Sequence, residues 1–242
     1  MSAPAPDRLE VLPVSGIPEL RPGDDLPGLI AKRAPWLQDG DVVVVTSKAV
    51  SKVEGRLVAV PTDPEGREAA RQQAITEEAV RVVASRMSTR IVETRHGFVI
   101  AAAGVDASNV QADEIALLPV DSDESAQRIR AGLADALGIN VAVIVSDTAG
   151  RAWRVGVTDH AIGVAGMTAL VSLRGEIDPM GHVLSVTEVA VADEAAAAAD
   201  LVRDKAGRVP AAIVRGIARY VLEEDGPGAA ALRRPEQEDL FR

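Results

Sequence analysis

The chain has 242 residues, a net charge of -10, 47% hydrophobic residues and only 2% aromatic ones. It is long enough for one large domain or two small ones, with a core of Val, Ala, Leu and Ile in place of rings. The acidic balance excludes the basic stripe of a nucleic-acid binder and a polybasic membrane surface, and the absence of cysteine excludes disulfides, thiolate catalysis and Cys-zinc sites.

Residues 1–8 are Pro-rich and read as a flexible N-terminus. Leu9 to Pro13 reads as a short strand, followed by a turn-rich Gly16-Ile17-Pro18-Glu19-Leu20 loop and a helix from Leu26 to Ala34 that ends at Pro35. Asp41 to Thr46 is a buried strand by its unbroken β-branched run, and it leads directly into Ser47-Lys48-Ala49-Val50-Ser51-Lys52. A strand over residues 56–60 precedes a helix over 64–86, where Ile75, Ala79, Val80 and Val83 fall at helical spacing. Thr89 to Thr94 and Phe98 to Ala103 pair around Arg95-His96-Gly97, and the second strand ends in Gly104-Val105-Asp106-Ala107-Ser108-Asn109. Ile115 to Pro119 reads as a strand. A helix then starts at the acids of 121–124 and stops at Gly138.

Val141 to Val145 is a second fully buried strand, ending in Ser146-Asp147-Thr148-Ala149-Gly150-Arg151-Ala152-Trp153-Arg154. Trp153 reads as a core or interface residue. Residues 169–174 and 183–189 form a hairpin around Asp178-Pro179-Met180-Gly181. An Ala-rich helix covers Ala190 to Lys205, Ala211 to Val214 is the last strand, and the chain from Glu223 is charged and loose. Several strands are linked by hairpins, so the pattern predicts an α+β fold, mixed and largely antiparallel, over a doubly wound one. No run of 18 apolar residues and no signal peptide is present, which leaves the cytoplasm as the default compartment.

Three apolar strands end in polar clusters: Thr46-Ser47-Lys48 with Lys52, Asp106 with Asn109, and Ser146-Asp147-Thr148. Ligands gather beyond strand ends, where loops carry polar groups on a rigid base. If these ends converge, Asp106 and Asp147 repel each other until a divalent cation binds. Thr148 and Asn109 add neutral oxygens, and Lys52 and Ser47 hold phosphate oxygens. The competing reading is structural, since Asp after a strand also caps helices and forms turns. The three histidines are far apart and read as surface or satisfied-core residues. No P-loop, dinucleotide fingerprint or nucleophile elbow occurs.

At these same clusters the sequence resembles the coenzyme F420:L-glutamate ligase family. The matching stretches run in order over about nine tenths of the chain: the 12–20 loop, Asp41 to Lys52, Ala101 to Asn109, Leu117 to Ala126, Ser146 to Arg154, Ala161 to Gly166 and Val186 to Val202. The resemblance implies GTP binding at Ile17, Pro18, Glu19, Leu20, Ser47, Lys52 and Asn109. It implies divalent metal, Mg2+ or Mn2+, at Asp106, Asp147 and Thr148, with K+ a further candidate. Lys52, Asp106 and Asp147 are the expected catalytic residues.

The implied reaction is amide ligation of L-glutamate to the phospholactyl tail of the deazaflavin coenzyme F420 precursor through an acyl phosphate, with further γ-linked glutamates to follow. The implied organisation is a homodimer whose ligase module spans 9–222 in two interleaved subdomains, with 223–242 as a tail or linker. That tail resembles the junction at which some bacterial members continue into a flavin-binding, nitroreductase-like domain, so the expectation is either a stand-alone ligase or the N-terminal ligase module of such a bifunctional member. Two alternatives keep the fold and change the output: a GTP- and metal-binding regulatory module without turnover, and a metal-dependent phosphohydrolase.

Overall fold

The computed structural model describes residues 8–203 and 208–239. The expected flexible segment at 1–8 lies almost wholly outside them, as do Lys205 and the last three residues of the tail.

The first strand, β1 (Glu10–Pro13), is followed by α1 (Leu26–Arg33), β2 (Val42–Thr46), α2 (Ser47–Val53), β3 (Leu57–Ala59) and α3 (Pro64–Glu78). Next come β4 (Ala79–Arg86), β5 (Thr89–Thr94), β6 (Val99–Ala101), β7 (Glu114–Ala116), α4 (Ser122–Leu137), β8 (Ala142–Arg151) and β9 (Arg154–Ala165). The last elements are β10 (Val171–Ser172), β11 (Glu188–Val189), α5 (Val191–Asp200) and β12 (Ala211–Arg215).

The central sheet has the order β1-β12-β2-β8-β9, in which β2 and β8 are parallel and every other pair is antiparallel. Three smaller antiparallel sheets, β3-β7, β4-β5-β6 and β10-β11, complete a mixed α+β architecture.

Strand alternation divides the core. Val43, Val45, Val143 and Val145 point to one face of the central sheet, where Leu26 and Ile30 of α1 and Ile129 and Leu133 of α4 cover them. Val42, Val44, Ala142 and Ile144 point to the other, where Ala192, Ala195, Ala196 and Ala199 of α5 cover them. Alanine lets α5 lie close on the sheet, which is how a chain with few aromatics still closes its core. A third cluster, around Ile75, Val92 and Ile115, sits between α3 and the small sheets.

The caps expected for α4 are present: the Asp121 side chain accepts from the Glu124 amide, and Gly138 ends the helix in the left-handed region at φ 68°.

Four expectations change. The helix predicted over 64–86 stops at Glu78, and residues 79–86 form β4 against β5. The β-branched Val80, Val82 and Val83 are satisfied better by that pairing than by continuing a helix. The polar stretch after Val145 is not a loop, because β8 runs on to Arg151 and returns as β9 in a long hairpin. Trp153 lies at the tip of that hairpin and is 87% exposed, so it is not a core residue. The segment after Glu223 is also not loose throughout. Ala229 is buried and its amide donates to Asp123, Asp225 pairs with Arg130 at 2.7 Å, and Arg233 donates to the His96 carbonyl.

Candidate active site

The parallel pairing of β2 with β8 sets Thr46 beside Ser146 at the same end of the sheet. The residues that follow this pair, Ser47 at the start of α2 and Asp147 in β8, therefore meet across 100 positions of sequence, and the Ser47 hydroxyl donates to Asp147 Oδ1 at 2.6 Å. Beyond β2 the chain turns into α2, capped by the Thr46 hydroxyl accepting from the Ala49 amide. Lys48 and Lys52 stand four residues apart on that helix and so share a face. Lys52 pairs with Glu19 from the 16–20 loop, and Lys48 pairs with Asp106 at 2.6 Å.

Asp106 reaches this point from the small β3-β7 sheet. Its backbone exchanges two hydrogen bonds with Ala116, the last residue of β7. Three successive left-handed residues, Ala102, Ala103 and Gly104 at φ 54°, 53° and 70°, bend the chain into it. Arg67 of α3 ties down the following loop by donating to the carbonyls of Ala107, Ala112 and Glu114. A left-handed alanine costs about 1 kcal/mol or more, so the surrounding bonds hold this turn in place.

All ten residues singled out from the sequence line one cavity of about 650 Å³: Ile17, Pro18, Glu19, Leu20, Ser47, Lys52, Asp106, Asn109, Asp147 and Thr148. Its size is that of a site for a ligand of nucleotide dimensions. None of the three histidines lines it.

The two faces of β8 carry different chemistry. Asp147 continues the row of Val143 and Val145, toward α2. Ser146 and Thr148 face the other way, where both hydroxyls donate to Asp159, at 2.8 and 2.6 Å. Asp159 sits directly opposite Thr148 in the β8–β9 register. Its carboxylate is also paired with Arg203, which follows α5 and donates to Ser146 Oγ at 3.0 Å. Asp159 and Arg203 are both 3% exposed.

Sequence reading missed Asp159, Arg203 and the partnership of Lys48. Asp159 was findable: a polar residue at alternate spacing on a return strand from Thr148 is the signal. Arg203 carried none, because its partner is 44 positions away.

Burial raises the Asp147 carboxyl to about 7. The Ser47 hydrogen bond opposes that rise, and the charges of Asp159 and Asp106 add to it. Burial also acts to raise Asp106, but the hydrogen bond and charge of Lys48 and the Ser108 amide prevail and hold it below the usual carboxylate range.

Among the described residues no group of three His, Cys, Asp or Glu is arranged to hold a metal. The donor set is nonetheless suited to a hard divalent cation. Asp147 carries a charge that burial and two neighbouring carboxylates disfavour, and the Thr148 hydroxyl and Asp106 stand on the same cavity.

Comparison with known proteins places the chain in a family. The profile of the family described as F420-0:Gamma-glutamyl ligase matches residues 16–216. The coenzyme F420:L-glutamate ligase of Methanothermobacter thermautotrophicus is 39% identical over 97% of this chain and 99% of its own. That of Archaeoglobus fulgidus is 39% identical over 97% of each, and that of Methanopyrus kandleri 37% identical over 97% of each. A profile match over most of the chain, with relatives of this identity covering nearly all of it, makes this chain a member of the F420-0:gamma-glutamyl ligase family.

Proposed function

We propose that this protein ligates L-glutamate to a deazaflavin coenzyme F420 precursor, with GTP as co-substrate and Mg2+ or Mn2+ held by Asp106, Asp147 and Thr148. The observation that carries the reading is the charge of the cavity. Its lining holds five carboxylates (Glu19, Asp106, Asp147, Asp159, Asp200) against four cationic groups (Lys48, Lys52, Arg203, Arg208). A triphosphate brings several more negative charges. A lining with no positive surplus accepts it only with added cations, which the carboxylates attract. Bound there, a divalent ion supplies charge neutralisation at the phosphates.

The residues of the chain do the rest. Ile17 to Leu20, Ser47 and Asn109 orient the nucleotide, and Lys52 meets a phosphate oxygen as a point charge. The substrate carboxylate attacks the γ-phosphorus of GTP, and the bond to the β-phosphate oxygen breaks to release GDP. The resulting acyl phosphate is attacked by the α-amine of glutamate. The C–O bond breaks, phosphate leaves with the electron pair, and the amine loses one proton as the amide forms. A second round joins the γ-carboxylate of the first glutamate to another. K+ is a further candidate ion at the phosphates.

We read the molecule as a cytoplasmic homodimer of two interleaved subdomains. The central sheet draws strands from both ends of the chain, and two of the small sheets, β3-β7 and β4-β5-β6, come from the segment between β2 and β8.

The test is incubation with GTP, Mn2+ or Mg2+, L-glutamate and the glutamate-free deazaflavin, read by mass spectrometry. Glutamyl product that requires GTP, with GDP released in equal amount, is the expected result. Phosphate released at the same rate without glutamate would instead identify a phosphohydrolase, and nucleotide binding without turnover a regulatory module. Light scattering at twice the chain mass is the expected result for the dimer.

A further inference from the structure

We propose that Lys48 is an internal counter-cation that competes with a divalent ion for Asp106 and turns to the nucleotide phosphates when displaced, so that metal and nucleotide binding are coupled through one side chain. The proposal rests on the reading of Asp106 as a metal ligand. Lys48 lies between the helix residues that carry the resemblance, and none of the roles implied there falls on it.

The geometry is specific. The Lys48 ammonium is 2.6 Å from Asp106 Oδ2 and donates to the Ser108 hydroxyl at 3.0 Å. Its side chain is only 19% exposed, whereas that of Asp106 is 43% exposed. The ammonium is thus the more enclosed member of the pair, and Lys48, Asp106 and Asp147 all line the same cavity. A divalent ion shared between Asp106 and Asp147 needs the carboxylate that Lys48 already holds. Two cations on one carboxylate repel strongly in a partly desolvated site, so one must leave.

Lysine suits that exchange. Its charge sits at the end of a flexible four-carbon stem, unlike the planar fork of arginine. Lys48 shares its helix face with Lys52, the residue read as the phosphate contact, so the displaced ammonium stays within reach of the same polyanion. Displacement costs the Lys48–Asp106 pair and is offset when Lys48 gains a phosphate oxygen. Metal binding alone is thereby penalised, and metal binding with nucleotide is not. Linkage then requires each to tighten the other by the same factor.

The experiment is Mn2+ titration, read by the resonance of free Mn2+, on the wild type, Lys48→Met, Lys48→Arg and Asp106→Asn, each with and without GTP. All variants are first checked for unchanged circular dichroism. Lys48→Met should bind Mn2+ about tenfold more tightly without GTP and show about a tenfold smaller enhancement by GTP. Lys48→Arg keeps the charge and should bind Mn2+ without GTP no more tightly than the wild type. Unchanged or weaker Mn2+ affinity in Lys48→Met, while Asp106→Asn weakens it, overturns the counter-cation and leaves the metal-ligand reading standing. Equal Mn2+ affinity in the wild type and Asp106→Asn overturns both.

Discussion

The two faces of β8 solve the same electrostatic problem in opposite ways. On the α5 side, Asp159 is buried with Arg203 and two hydroxyls, and every partner belongs to the protein. On the α2 side, Asp147 has one hydroxyl from Ser47 and two repelling carboxylates nearby, and its neighbour Asp106 is paired with a lysine on a flexible stem. A buried carboxylate that owns its counter-charge is structural. One that lacks it stands ready for a ligand. Asp159 thus has its counter-charge within the protein and Asp147 does not, although both line the same cavity from one hairpin.

The strongest way to break this contrast is to remove half of the fixed pair. Arg203→Met leaves Asp159 buried without its cation and should cost about 3–5 kcal/mol. For a chain of this size that corresponds to a fall in melting temperature of roughly 10 °C. Asp159→Asn should cost a similar amount by stranding Arg203. The double variant should recover a good part of the loss, which a denaturation double-mutant cycle would register as a large coupling energy.

On the exchangeable face the sign reverses. Asp147→Asn keeps the shape and should fold, but should lose at least 100-fold in ligation. Its effect on ligand-free stability depends on pH. The native carboxyl is raised to about 7 from 3.8, so the folded state holds its proton more tightly than the unfolded one. Wild-type stability therefore falls as pH rises through that window, while the Asn variant, which cannot ionise, does not pay that cost. The two should melt together below pH 4, and above pH 7 the variant should be the more stable by up to a few kcal/mol. Equal melting curves at pH 8 would show that Asp147 already has a sufficient partner.

The smallest effect expected is at Val82→Thr, on the exposed side of β4 and remote from both faces of β8. It should shift stability by less than about 0.5 kcal/mol and leave Mn2+ and GTP binding alone. A loss of binding there would mean that the small sheets transmit to the site.

Much of this site could be read in advance because its parts lie where apolar runs end. Val42 to Val45 and Val141 to Val145 are unbroken, so the residues after them, Ser47 and Asp147, were conspicuous. The capped helix α4 was legible for the same local reasons. What escaped was non-local. Val80 and Val83 fit a helical period, and only the presence of β5 makes 79–86 a strand. β9 begins with exposed Arg154, Val155 and Gly156, a weak strand signal, so the hairpin and Asp159 within it were lost together. Arg203 has meaning only through Asp159. Pairing across dozens of residues is decided by tertiary contact, which a local pattern does not contain.

The anchorage of Asp106 has a kinetic consequence. Ser47 and Asp147 are mounted on the five-stranded sheet, whereas Asp106 hangs from a two-stranded ladder of three residue pairs and one further bridge. Short ladders open locally at far lower free energy than a central sheet. In amide hydrogen exchange, the Asp106 and Ala116 amides should therefore exchange well before those of Val143 to Val145. Transient separation of the site begins with Asp106 swinging out on its ladder, carrying Ser108 with it, while Ser47 and Asp147 stay joined.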